Sequence, residues 1–214
     1  MTTFTPISAP LAPFAPEILS VAEQWRANAV VTGQDAFRPF LGISRLPTIY
    51  GDCNPRWMAD TQNRVVVVKT QPRDNDLPDQ PSREAIVARL ASAVGLPVPP
   101  VVIWQQHYGT RATYSAVSYR AFSNAHDLSR VDLPIAKNIL MRDDNFPFAH
   151  VFNSWVLRRD CRPHNHVCDT PATALPEPPV AYIDWSRSLH YSGKIGKEVA
   201  PLFKGGEVET GSIL

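Results

Sequence analysis

Hydrophobic and polar positions change rhythm along this chain, and the changes mark its elements. The run Arg64-Val65-Val66-Val67-Val68-Lys69-Thr70 predicts the surest strand. Four successive β-branched residues are stiff at χ1, favour extended backbone and imply burial on both faces. A polar loop over 71–81 follows. A helix is then predicted from Ser82, a good N-cap, to about 94, with Ile86, Val87, Leu90 and Val94 as its apolar stripe. Gly95 and Pro97 supply the stop. Residues 98–104 and 114–119 read as strands joined by a loop containing Gly109, and 37–50 as extended chain. Residues 37–120 thus predict two extended segments, a helix and two strands: a small sheet carrying one helix.

After residue 120 the rhythm becomes helical. Residues 124–130 read as polar linker. Two helices are expected over about 134–141 and 148–157, the second presenting Phe148, Phe152, Trp155 and Val156 on one face. Residues 160–165 form a loop, 169–179 a Pro-rich exposed stretch, and 180–184 a short strand. Near the N-terminus, Ile18, Val21, Ala22 and Trp25 recur at helical spacing behind Pro16 and Glu17. Residues 1–15 read as a flexible, Pro-rich arm and 16–214 as one domain, dividing near residue 120.

Composition narrows the class. The 214 residues are 44% hydrophobic and 19% charged, with a net charge of +1. A globular fold is expected, and no basic field recommends nucleic acid as a partner. No apolar run reaches membrane-spanning length, and the first residues lack the basic and apolar regions of a secretory signal. Three cysteines, Cys53, Cys161 and Cys168, do not make a disulfide framework, so a cytoplasmic setting is the expectation.

The candidate chemistry lies in Arg159-Asp160-Cys161-Arg162-Pro163-His164-Asn165 and in Ile183-Asp184-Trp185-Ser186. An Asp, an Asn five residues later and an Asp closing an apolar strand suit phosphoryl transfer to a hydroxyl. The first carboxylate orients the acceptor, and the other two groups offer Mg²⁺ hard oxygen ligands. Lys69 at a strand end and Glu84 in the next helix suit a lysine that contacts phosphates and a carboxylate that orients it. Blander roles exist for each: a snorkelling lysine, a helix N-terminal charge, a loop cap. The ordered combination favours the chemical reading. Arg158, Arg159 and Arg162 surround Asp160, as phosphate contacts or as helix-end and acid partners.

This order of motifs resembles the HipA-like kinases, compact relatives of protein kinases similar also to phosphatidylinositol kinases. The likeness spans about residues 37–190 and includes Gly95-Leu96-Pro97-Val98-Pro99 after the Glu84 helix. It implies an α+β, two-lobed protein-kinase-like fold, with a small antiparallel-sheet N-terminal lobe and a reduced helical C-terminal lobe. It implies ATP and Mg²⁺ as cofactors and an unidentified phosphate acceptor. By the same likeness Asp160 is catalytic, Asn165 and Asp184 bind metal, and Lys69 with Glu84 serves the nucleotide. Residues 119–124 are the hinge beside adenine, and Gly42-Ile43-Ser44-Arg45 is the candidate phosphate-covering turn. Arg158 stands where ordinary protein kinases carry a His, Ser186 where they carry a Gly, and no GxGxxG precedes the Val strand. An inert kinase-fold module that binds nucleotide or protein is the alternative. A small zinc protein using Cys161, His164, His166 and Cys168 is a second, although that spacing is unusual for zinc.

Overall fold

The computed structural model describes residues 30–41, 49, 53–70, 80–122, 125–158, 165–169, 179–186 and 188–189. Ser44, Arg45 and Asp160, the N-terminal arm and helix, and the tail lie outside them.

Among the described residues, two sheets and three α-helices make a mixed α+β fold. The larger sheet contains β1 (Val30–Thr32), β2 (Phe37–Pro39), β3 (Arg56–Asp60), β4 (Val65–Thr70), β5 (Val101–Tyr108) and β6 (Arg111–Tyr119), ordered β1-β5-β6-β4-β3-β2. The sheet is mixed, which corrects the expectation of an antiparallel one: β1 pairs parallel with β5, Val30 opposite Ile103. Parallel pairing needs a long crossover, and the chain from β2 to the helix before β5 supplies it.

The Val strand pairs β3 on one side and β6 on the other, with Lys69 opposite Ala116. Its alternation is one-sided. Val66 and Val68 are fully buried, whereas Val65 and Val67 are half-buried. β5 and β6 continue past the predicted strands to a turn at Gly109, whose φ of 61° suits glycine.

Helix α1 (Gln80–Ala93) lies against β5 and β6. Its buried face is Glu84, Ala85, Val87, Ala88 and Ala91, while Ile86, Leu90 and Val94 are exposed. The predicted stripe was therefore rotated. The helix approaches the sheet closely through alanines, and this brings the Glu84 carboxylate inside. Ala88→Leu should cost about 1–3 kcal/mol by overpacking this contact; urea unfolding of the variant checks it.

Two bonds end α1. Leu96 N donates to Ala91 O (2.9 Å) and Gly95 N to Ser92 O (3.1 Å), with Gly95 at φ 95°. This is a Schellman turn, whose left-handed position glycine fills without strain. The chain leaving it buries Leu96 and Val98, and Pro97 O accepts from Tyr182 N at 2.9 Å.

Tyr182 belongs to the smaller sheet, ordered β7 (Ala125–Asp127), β8 (His166–Asp169) and β9 (Val180–Tyr182), all antiparallel. Residues read as linker thus form β7 and a 3-10 turn capped by Asp127. Helices α2 (Leu133–Met141) and α3 (Phe146–Trp155) accompany this sheet. On α3, Phe152 is buried, but Phe148 and Trp155 are exposed, against the predicted face. One apolar core joins Val66, Val68 and the α1 alanines to Phe152, Tyr182 and Trp185. Among the described residues, no helix is long and apolar enough to cross a membrane.

Candidate functional site

Three titratable residues remote in sequence converge where β4, α1 and the end of β9 meet. Lys69 Nζ donates to Glu84 Oε1 at 2.9 Å and to Asp184 Oδ1 at 2.8 Å. Lys69 arrives there because it closes the Val strand. Glu84 sits on the buried alanine face, with its side chain 2% exposed. Asp184 follows β9 by two residues and adopts φ 62°, a left-handed conformation that Asp tolerates better than most residues. That bend turns its side chain back toward Lys69. Ser186 Oγ also donates to Asp184 Oδ1, at 2.8 Å. Both bonds fall on Oδ1, and no described group bonds Oδ2. The Asp184 side chain remains 32% exposed, so a ligand can reach it.

The electrostatics separate the two carboxylates. Burial pushes Glu84 above the usual carboxylate range; Asp184 adds to this and Lys69 opposes it. Burial acts the same way on Asp184, but the Lys69 charge and hydrogen bond, with help from Ser186 and Arg158, outweigh it and hold Asp184 well below that range. Burial alone would lower the Lys69 ammonium, yet Asp184 and then Glu84 hold it above its ordinary value. The site presents a fixed cation and, beside it, a fixed anion with an open oxygen.

Asn165 is delivered to the same place by β8. Its carbonyl accepts from Ile183 N at 3.0 Å, next to Asp184, and its side chain is buried. His166, paired with Tyr182, packs edge-on against the rings of Phe146 and Tyr182. Cys168 is buried in the smaller apolar cluster of Leu128, Ile139 and Val180. Among the described residues, no group of three or more His, Cys, Asp or Glu could hold a metal. Cys161 and His164 lie outside them. Of the expected hinge, Tyr119 N donates to Pro100 O and Arg120 N to Val65 O, while Ala121 and Phe122 are buried.

Sequence reasoning offered Arg158 as a phosphate contact or a helix-end partner, and not the contacts that it makes. It is buried, donates from Nη2 to the carbonyls of Ile183 (2.5 Å) and Asp184 (3.1 Å), and stacks 4.2 Å over the Trp185 ring. The only signal for it was its position two residues before Asp160.

No family model matches the chain, and no curated protein sequence does. Twenty solved chains match it. One is the crystal structure of a Helicobacter pylori proinflammatory kinase, CtkA. It is 14% identical, with a TM-score of 0.45, over 73% of this chain and 61% of that one. This chain therefore spans less than two thirds of that structure. At that distance, a functional reading has to stand on the geometry of Lys69, Glu84 and Asp184.

Proposed function

We propose that this chain is a phosphotransferase that moves the γ-phosphoryl group of ATP, with Mg²⁺, to a hydroxyl of a protein or small molecule. The carrying observation is Lys69 held between Glu84 and Asp184. A part-buried lysine kept charged by two carboxylates is an electrostatic anchor for a phosphate chain. The larger sheet with α1 would be one lobe, and the smaller sheet with α2 and α3 the other.

In this reading, the Lys69 ammonium contacts the nucleotide phosphates and Glu84 fixes its direction. Asp184, through Oδ2, and Asn165 would hold Mg²⁺. The fit is chemical: these are hard oxygen donors, one of them an ionised carboxylate with an oxygen that no described group bonds. Bound Mg²⁺ supplies charge neutralisation at the phosphate oxygens. Asp160 orients the acceptor hydroxyl and takes its proton as the new phosphorus–oxygen bond forms and the bond from the γ-phosphorus to the β–γ bridging oxygen breaks, releasing ADP. The protein's part is positioning and preorganised charge rather than covalent chemistry.

The test is ATP turnover, followed as phosphate release or self-phosphorylation, in the wild type and in Asp160→Ala. Turnover should fall by about a hundredfold or more in the variant, in the range lost when a positioned acid–base group is removed, with ATP affinity retained. Wild-type ATP binding without turnover, unaltered by the substitution, would identify an inert nucleotide-binding module instead.

A further inference from the structure

We propose that Arg158 is a positioning residue that locks Asp184 in its working conformation by tying it to the end of α3. This deepens the phosphotransferase reading and rests on it. Helix α3 ends in a second Schellman turn: Arg158 N donates to Asn153 O (2.8 Å) and Leu157 N to Ser154 O (3.2 Å). The left-handed position is filled by Leu157, at φ 54°, where a glycine would be unstrained. A branched side chain is strained there and persists only where its surroundings dictate it. What the turn achieves is to send Arg158 inward.

Its guanidinium then spans both segments. Nη1 donates to Asn153 Oδ1 on α3 at 3.3 Å. Nη2 reaches the carbonyls of Ile183 and Asp184, and the planar group lies on Trp185. Those carbonyls flank the φ 62° bend at Asp184. A second tie, Leu189 N to Val156 O at 2.7 Å, closes the far side of the same bend. The fork of Arg and its stacking face are both in use, so Lys is not an equivalent replacement.

The experiment compares wild type, Arg158→Gln and Arg158→Lys by two readouts. The first is amide hydrogen exchange in the nucleotide-free protein. Arg158→Gln should speed exchange at residues 183–186 by about tenfold or more while β5 and β6 keep their protection, and Arg158→Lys should fall between. The second is the Mg²⁺ concentration that half-saturates stabilisation by ATP. It should rise about tenfold in Arg158→Gln, with Mg²⁺-free ATP binding unchanged. Exchange that rises equally across both sheets, with the Mg²⁺ requirement unaltered, would make Arg158 a structural residue only and overturn the proposal. Should the wild type show no response to ATP with Mg²⁺, the phosphotransferase reading fails, while the exchange readout still decides whether Arg158 fixes Asp184. If Arg158→Gln does not fold, Asn153→Ala removes only one acceptor of the guanidinium. It should move both readouts two- to threefold in the same direction, and unmoved values would equally overturn the proposal.

Discussion

Lys69→Met should lose both phosphoryl transfer and about 3 kcal/mol of stability at pH 7. The substitution keeps the length and apolar stem of the side chain but leaves Glu84 and Asp184 facing each other without a cation. Removing one partner of a buried ion pair strands the other charge and costs about 3–5 kcal/mol. The lower figure applies because the Asp184 side chain is 32% exposed. The pH dependence identifies the cause. In the wild type, Asp184 is held below its ordinary range, so the stability it contributes is present at neutral pH and is lost only below the usual carboxylate values. In the variant, burial loses its main opponent, with only Ser186 and Arg158 left against it, and Asp184 rises in the direction that burial already imposes on Glu84. A raised carboxyl destabilises at neutral pH and is relieved as pH falls toward its unfolded value. Glu84 gives the wild type part of that slope, and the variant adds that of Asp184. Urea unfolding should therefore show the gap between the two proteins narrowing from pH 7 to pH 5. A constant or widening gap would mean that Lys69 does not compensate these carboxylates.

Asp184→Asn carries the second large effect, and it is one on binding. The amide keeps the shape and can still accept from Lys69 and Ser186, so the fold should survive with a loss of about 1–2 kcal/mol, the difference between charged and neutral hydrogen bonds. The ionised oxygen for Mg²⁺ is gone, however. Stabilisation by ATP with Mg²⁺ should fall to the level given by ATP without metal. Isothermal titration of ATP into the variant, with Mg²⁺ and with a chelator, should give affinities equal within twofold. A retained Mg²⁺ dependence would place the metal on other residues.

The elements that carry Lys69, Glu84 and Asp184 are legible in the sequence because each has a strong local signal. Four valines announce β4, Gly95 ends α1, and a short apolar strand precedes Asp184. The meeting of the three follows from the order of those elements. What escapes is set by tertiary context. β3, with the pattern Arg-Trp-Met-Ala-Asp, has no alternation of its own and is a strand because β2 and β4 flank it. The parallel pairing of β1 depends on the whole intervening chain. The face of α1 was misassigned because leucine and isoleucine outweigh alanine in a periodicity argument, whereas close helix–sheet packing selects alanine. On α3, Trp155 followed the same error. The long-range contacts of Arg158 escaped because two of its acceptors lie 25 and 26 residues away and are backbone carbonyls, which no sequence pattern marks. Asp160, Ser44 and Arg45 fall outside the described residues, so their roles rest on motif order alone.

The most direct test of the central claim is the melting temperature of the wild type with ATP and Mg²⁺, with ATP and a chelator, and with Mg²⁺ alone. At a ligand concentration a hundred times Kd, binding adds about 2.7 kcal/mol. For a chain of this size that is a rise of roughly 5–10 °C. A rise of that order is expected with both together, a small one with ATP alone and none with Mg²⁺ alone. No shift at millimolar ATP and Mg²⁺ would contradict it, leaving Lys69, Glu84 and Asp184 as a buried ion-pair cluster that serves the fold.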